Sequence, residues 1–286
     1  MSTSSKKVTK AVFPVFGFGT RFLPITKSLP KEMLPIIDKP LLHYAVKEAV
    51  DAGIRDLIFI VGSNRQSIED YFDRNLPLEN KLESDGKLEE LGQVRDIVPP
   101  NVNCIFIRQH SPIGLGHAVL KAKPVIGEDS FAVVLVDDLF YSQPHEESAL
   151  QTLINHYEQF ECSVIGTHEV NPESIHNYGV ISGTQNDDEE ATVLDGIVEK
   201  PIAERAPSNQ AVLGRYVLDS KIFSCIEQTV VGKNGEIQLT DAIEKLIQSE
   251  KVHAIPIKIR HFDCGSKEGW YKANMFFGDK IYGFKL

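Results

Sequence analysis

The chain alternates between two kinds of hydrophobic pattern. From Val12 apolar residues lead through Val15 and Phe16 into a cluster of glycines, the pattern of a buried strand running into a turn. Leu42, Ala45, Val46, Ala49 and Val50 then recur at helical spacing, which predicts a helix over Leu41 to Ala52 capped by Gly53. Asp56 to Gly62 holds the unbroken apolar run Leu57 to Val61, as expected of a strand covered on both faces in a parallel sheet. This strand–loop–helix–strand order is that of a doubly wound α/β sheet.

Ser63 to Phe72 predicts a short capped helix, and the charged, leucine-punctuated residues 76–95 a helical surface excursion. After Pro99-Pro100, Asn103 to Gln109 reads as a third strand, and Ser130 to Val136 as the most apolar strand of the chain. In the second half a helix over Glu146 to Phe160 precedes a strand over Ser163 to Glu169. Tyr178 to Ile181 and Thr192 to Glu199 read as a hairpin, joined by the acidic loop Asn186 to Glu190, a solvated tip. Glu236 to Asp241 opens a helix with Asp241 near its positive end. Val252 to Ile259 forms a further strand, and the aromatic stretch from Lys267 to Leu286 is expected to pack on the body or on a partner subunit. There is no internal repeat and no low-complexity linker.

Composition narrows the field. The chain has 286 residues, 42% of them hydrophobic and 24% charged, ordinary values for a globular protein with one large α/β domain or two small ones. A net charge of −10 argues against a nucleic-acid or anionic-membrane surface. It leaves room for a nucleotide, since a small basic pocket can focus potential locally. Cys104, Cys162, Cys225 and Cys264 are widely spaced with no CxxC pair, so reduced thiols rather than structural zinc are expected. The N-terminus is polar and no apolar run reaches the roughly 18 residues of a membrane helix. A cytoplasmic location is the expectation.

The chemistry begins in the first glycine turn, Gly17-Phe18-Gly19-Thr20-Arg21. Consecutive backbone N–H groups in such a turn can cradle an anion, although a GxG after a strand also serves simply as a tight turn. Arg21, Lys27, Lys31 and Lys39 outnumber Glu32 and Asp38 in the following segment. Its prolines Pro24, Pro30, Pro35 and Pro40 predict an extended loop rather than a helix. The dinucleotide spacing fails at Phe22, and no Gly-Lys-Ser/Thr loop is present. A second glycine turn, Ser111 to Ala118, opens a helix and serves either that start or a ligand rim. Asp137 and Asp138 end the apolar strand, where they either cap a turn or supply one carboxylate to a metal, adjacent strand residues facing opposite ways. Glu199 and Lys200 are either a surface salt pair or part of a binding site.

The full string resolves these choices. GxGTR, nine residues, then Lys31-Glu32-Met33-Leu34-Pro35 resembles the signature of the sugar-1-phosphate nucleotidylyltransferases. The wording TKSLPKEMLPIIDKP resembles the bacterial UTP–glucose-1-phosphate uridylyltransferases within that family. LVDD, VEKP, GRY, EIQLTD and DCG follow in the family's order, so the resemblance spans about residues 8 to 280. It implies a single-domain α/β fold with a Rossmann-like mixed, mainly parallel sheet flanked by helices and a sugar-binding lobe. Residues 1–8 would be flexible and 9–286 the nucleotidylyltransferase domain, with a nucleotide-binding half to about residue 140 and a sugar-binding half beyond it.

The implied reaction joins UTP and glucose 1-phosphate into UDP-glucose and pyrophosphate with Mg²⁺, in a homodimer or homotetramer. Arg21, Lys31 and Lys200 would be catalytic. Phe16, Gly17, Gly19, Thr20, Glu32, Gln109, Gly114 and Gly116 would hold the nucleotide. Gly179, Glu199, Lys200 and Gly214 would hold the sugar, and Asp137 and Asp263 the metal. EIQLTD would be mainly architectural. The sequence departs from the family at Phe16, where relatives carry a small residue; its bulk is expected to alter the base fit or displace a neighbour. Use of another nucleotide such as dTTP, or a regulatory role without catalysis, are the alternative readings; the intact Thr20-Arg21 argues against the second.

Overall fold

The computed structural model describes residues 7–63, 66–185, 190–232 and 235–285. Residues 1–6 of the N-terminal stretch and most of the acidic tip, 186–189, lie outside the described residues, as do 64–65 before the helix Gln66–Phe72. Val8, assigned above to a flexible tail, is already buried.

The strands are β1 (Lys10–Val15), β2 (Asp56–Val61), β3 (Asn103–Arg108), β4 (Phe131–Val134), β5 (Asp138–Tyr141), β6 (Ser163–Glu169), β7 (Gly179–Gln185), β8 (Thr192–Glu199), β9 (Gln210–Leu218), β10 (Val252–Pro256) and β11 (Arg260–Asp263). Among the described residues nine of them form one sheet in the order β3-β2-β1-β4-β9-β6-β10-β8-β7, while β5 pairs with β11 apart from it. β3, β2, β1 and β4 are mutually parallel. β9 runs antiparallel to β4 and β6, and β8 to β10 and β7, so the sheet is mixed, with seven of its nine strands pointing the same way.

Apolar side chains bury on both faces. On one side Phe59 stacks with Phe13, Phe72 and Phe106 at centroid distances of 5.0–5.2 Å. On the other, Phe131 stacks on Phe223 at 5.1 Å among Val12, Ile58 and Ile165. The excursion over residues 76–95 forms two helices, Leu76–Ser84 and Leu88–Arg95, tied to each other by Glu79 accepting from Arg74 and Arg95. The C-terminal helix Lys267–Lys280 packs on the body: Trp270 Nε1 donates to the Pro35 carbonyl at 3.0 Å, and Trp270 meets Phe22 edge-on.

Three expectations change. The segment after the first glycine turn folds into short 3₁₀ turns, Thr20–Phe22, Ile25–Lys27 and Lys31–Met33, rather than an extended loop; proline interrupts a helix but tolerates a single turn. β4 stops at Val134, so Asp137 and Asp138 are not consecutive positions of its end; Asp138 opens β5 instead. β9, the antiparallel strand at the sheet's centre, was not predicted, because Gly214 and Arg215 interrupt its apolar run. Arg215 is nevertheless 1% exposed, and its burial is possible because every guanidinium N–H is used. Nε and Nη2 donate to Glu48 Oε2 at 3.0 and 2.7 Å, Nη1 to the Leu135 and Gly214 carbonyls at 2.8 and 2.9 Å, and Nη2 also to the Asp138 carbonyl at 2.9 Å. A buried charge survives only when it is paired and hydrogen-bonded. The pairing ties β9 to helix Leu41–Asp51 and clamps the chain on both sides of Asp137.

Candidate active site

A cleft of about 740 Å³ opens at the C-terminal ends of β1 and β4, where open α/β sheets bind ligands. It brings together residues from the whole length of the chain.

On the first-half side, Lys31 Nζ meets Asp137 Oδ2 at 2.5 Å. Asp263 joins them through the turn after β11: a Cβ placed on Gly265 would lie 3.0 Å from Asp263 Oδ1, 3.1 Å from Asp137 Oδ2 and 3.5 Å from Arg21 Nη1. Glycine at 265 thus lets two carboxylates and a guanidinium converge on one point. Arg21 Nη1 also donates to the Gly265 carbonyl at 3.4 Å, and Cys264 N–H to the Asp137 carbonyl at 2.7 Å. Burial works against the charges here, but their mutual attraction outweighs it. Lys31 and Arg21 hold the Asp137 carboxyl below its ordinary pKa, and Asp137 with Glu32 raises that of Lys31. Asp263 moves up, through burial and the neighbouring Asp138 and Asp137. A further proton-sensitive group is Glu32, 2% exposed, with Oε2 buried and without a hydrogen-bond partner. Burial pushes its carboxyl up to about 7 against the pull of Lys31.

Asp138 serves differently. Its Oδ2 accepts the Gly214 N–H at 2.8 Å and its Oδ1 lies 2.5 Å from His261 Nε2, so it is committed to holding β9 and β11. Asp137, not Asp138, is therefore the carboxylate paired with Lys31, but both line the cleft, so the expectation that alternation lets only one of them face it does not hold.

Of the residues expected to hold the nucleotide, Phe16, Gly17, Gln109 and Gly114 also line the cleft. The Phe16 ring lies over Gly62, where any Cβ would come within 2.0 Å of it. The bulk of Phe16 is thus taken up by a glycine on the neighbouring strand's end. Gln109 is 2% exposed and its Nε2 donates to His117 Nδ1 at 2.5 Å. Burial and Lys121 lower the His117 pKa, and the contact with His117 orients the carboxamide.

A second part of the lining comes from the second half of the chain. Glu199 pairs with Lys200 at 3.2 Å and accepts from Thr240 Oγ1 at 3.0 Å. Lys200 holds a left-handed backbone, φ 46°, with its N–H bonded to the Tyr178 carbonyl at 3.0 Å. Gly179 and Gly214 line this wall, and side chains there would meet Thr240 at 2.9 Å and Asp138 at 2.4 Å.

Three expected residues stand off the cleft lining. Gly19 adopts a left-handed conformation that shapes the loop, its carbonyl accepting from Thr26 Oγ1 at 2.7 Å, and Thr20 starts the following 3₁₀ turn. Gly116 packs against Ile237, to whose carbonyl its N–H donates at 2.9 Å. Lys27 and Lys39 do not line the cleft either; Lys39 turns toward Asp38 and Tyr282. EIQLTD is more than architecture, since Glu236, Gln238 and Thr240 line the cleft. Thr240, His117 and Arg215 were missed as positioning residues. A hydroxyl in the first turn of helix Leu239–Ile247 and the histidine of the second glycine turn, Ser111 to Ala118, were the available signals.

A family model for nucleotidyl transferases matches residues 11–280. The chain belongs to the nucleotidyl transferase family. Within it, the chain is 44% identical to a UTP–glucose-1-phosphate uridylyltransferase of Pseudomonas aeruginosa, over 96% of this chain and 98% of that protein. Two solved structures share the family fold closely. A UDP-glucose pyrophosphorylase complexed with UDP-glucose is 42% identical with a TM-score of 0.86, covering 96% of this chain and 99% of that one. The UTP-bound UDP-glucose pyrophosphorylase of Acinetobacter baumannii is 44% identical with a TM-score of 0.88, covering 96% and 94%. This nucleotidyl transferase also lacks, among its described residues, any helix long and apolar enough to cross a membrane.

Proposed function

We propose that this chain transfers a uridylyl group from UTP to glucose 1-phosphate, giving UDP-glucose and pyrophosphate. The observation that carries the reading is one cleft lined by two chemically distinct walls: Arg21, Lys31, Asp137 and Asp263 form one, and Glu199, Lys200 and Gly214 the other. Relatives named for this reaction, and solved structures named as bound to UTP and to UDP-glucose, support the same pair of substrates.

A phosphate oxygen of glucose 1-phosphate attacks the α-phosphorus of UTP and pyrophosphate departs, so no protein nucleophile is needed. Catalysis is positioning and charge stabilisation. Arg21 and Lys31 neutralise the triphosphate, and Lys200 steers the attacking phosphate. Gln109, set by His117, and the backbone at Phe16 and Gly17 receive the uracil. Glu32 lies toward the ribose, and Glu199 accepts from sugar hydroxyls. The convergence of Asp137 Oδ2 and Asp263 Oδ1 over Gly265 is an all-oxygen donor set suited to a hard cation. Those two residues would hold Mg²⁺, which would supply further charge neutralisation to the phosphates. A cytoplasmic homodimer or homotetramer completes the reading, supported by the family resemblance and by four cysteines that form no disulfide among the described residues.

The test is pyrophosphate release across a panel of nucleoside triphosphates and sugar 1-phosphates, with and without Mg²⁺. Highest kcat/KM is expected for UTP with glucose 1-phosphate. A preference for dTTP would reassign the base, and binding of UTP without pyrophosphate release from any pair would overturn the enzyme reading.

A further inference from the structure

A second group of ligand-type side chains lies at the opposite ends of the strands from the cleft. His156 sits in the last turns of helix Ala149–Phe160, Cys162 follows that helix, and His253 is in β10. One donor atom from each, an imidazole nitrogen or the thiol sulfur, lies within 4.8 Å of both others. His156 Nε2 and His253 Nδ1 are 2.8 Å apart. Cys162 immediately precedes β6, and His253 pairs in register with Val164 near the start of that strand. The cluster therefore lies at the N-terminal ends of β6 and β10. The cleft opens at the C-terminal ends of β1 and β4, which run in the same direction because β9 is antiparallel to both β4 and β6.

The local backbone is built to bring the three together. Glu161 ends the helix in a left-handed conformation, φ 51° and ψ 35°, with its N–H on the Tyr157 carbonyl at 2.7 Å. A non-glycine residue rarely adopts that conformation, and here it turns the chain so that Cys162 comes beside His156. The Phe160 ring, 4.4 Å from that of His156 and 5.9 Å from that of His253, gives the group an apolar wall. His253 itself is 7% exposed.

We propose that His156, Cys162 and His253 form a site for a borderline-soft transition metal ion of the zinc(II) class. Two imidazoles and a thiol suit such an ion, and the group contains no carboxylate to attract Mg²⁺ or Ca²⁺. Ligand atoms about 2.0–2.3 Å from one ion stand roughly 3–4 Å from each other, so small side-chain adjustments close this group around one. Three protein ligands leave a fourth, tetrahedral position for water. On binding, the thiol releases its proton to solvent. The ring proton between His156 Nε2 and His253 Nδ1 moves to the far nitrogen of its own ring, so each neutral imidazole offers a lone pair and one proton, the thiol's, leaves per ion bound.

The test uses the full chain, stripped of metal by a chelator and titrated with Co²⁺ in excess Mg²⁺ to occupy the cleft carboxylates. A single equivalent should produce thiolate-to-cobalt charge-transfer absorption with tetrahedral d–d bands, and Zn²⁺ should displace it. Cys162→Ser should abolish the charge-transfer band. Cys264→Ser should keep it, which matters because Cys264 adjoins Asp137 and Asp263. His156→Gln, at a half-exposed position, should weaken binding at least about tenfold. Because His253 variants can fail to fold, the second measurement uses the unaltered chain: Zn²⁺ should protect Cys162 from alkylation, read by mass spectrometry, and a chelator should reverse it. No charge-transfer band at one equivalent, a band that survives Cys162→Ser or is lost in Cys264→Ser, or equal alkylation of Cys162 with and without Zn²⁺ would overturn the site.

Discussion

The two walls of the cleft solve the problem of holding charge in opposite ways. On the first-half wall charge is packed against charge: Lys31 contacts Asp137 at 2.5 Å with only 23% of its side chain exposed. On the second-half wall Lys200 reaches Glu199 at 3.2 Å with 55% exposed. A paired, desolvated group needs little reorganisation when phosphate charge arrives, whereas an exposed lysine must give up water and rotamer freedom. In the proposed reaction the first wall would thus be preorganised for the reacting phosphates, and the second suited to a substrate that enters and is captured. Losses should therefore fall mainly on kcat at the first wall and be shared with KM at the second.

The largest effect is expected at Asp137. Asp137→Asn removes the partner of Lys31 and one of the two carboxylates converging over Gly265, and should lower kcat on the order of a thousandfold. Asp138→Asn instead keeps only one of the two oxygens that hold the Gly214 N–H and His261, and should cost about 1–3 kcal/mol of stability with a much smaller kinetic loss. Steady-state kinetics beside thermal denaturation separates them. Equal kinetic losses in two folded variants would erase the distinction.

Glu32 tests how far the first wall is strained by burial. Its carboxyl is raised from 4.5 to about 7, so the folded chain binds more protons than the unfolded chain between those values. Stability from this group is therefore greatest at low pH and falls as pH rises through that window, by about 3 kcal/mol in all. Glu32→Gln should flatten this part of the ligand-free stability profile and raise stability above about pH 7. A variant whose denaturant midpoint keeps the wild-type slope with pH would show that Glu32 is solvated in the fold.

Arg21 is exposed apart from its bond to the Gly265 carbonyl, so Arg21→Ala should leave folding intact. Loss of one preorganised contact to developing charge should lower kcat about a hundredfold, near 3 kcal/mol. A folded variant retaining more than half of wild-type kcat would remove Arg21 from the wall.

Much of this was legible in the sequence, for identifiable reasons. The parallel strands announce themselves because both faces are buried and the apolar runs are continuous, as in β2. The residues of the first wall lie in short motifs whose types already suggest phosphate chemistry. What escaped was set by distant partners. β9 was hidden by Arg215, whose burial depends on Glu48 and on carbonyls of Leu135 and Asp138. The division of labour between Asp137 and Asp138 depends on His261 and Gly214, which no local pattern links to them. Likewise, the accommodation of Phe16 rests on Gly62, 46 positions further along, a contact that only the parallel pairing of β1 and β2 creates. Local periodicity reports how much of a strand is buried, while pairing between side chains is decided by topology.

The smallest expected effect is the one that separates the walls most cleanly. Lys200 follows β8, held left-handed by its N–H bond to Tyr178, and faces the cleft beside Glu199. If it steers the phosphate of glucose 1-phosphate, Lys200→Ala should raise KM for that substrate and lower kcat, together roughly a thirtyfold loss of kcat/KM, about 2 kcal/mol. An attacker held loosely spends less time aligned with the α-phosphorus, so the loss enters both parameters. Calorimetric affinity for UTP should stay within about threefold of wild type, because the residues proposed for the triphosphate lie on the other wall and none of their described contacts runs through Lys200. Alanine also removes the counter-ion of Glu199, so Lys200→Arg is the needed control: a retained charge should recover part of the KM defect. Equal losses of UTP affinity and of glucose 1-phosphate KM would place Lys200 against the triphosphate and merge the two walls into one site.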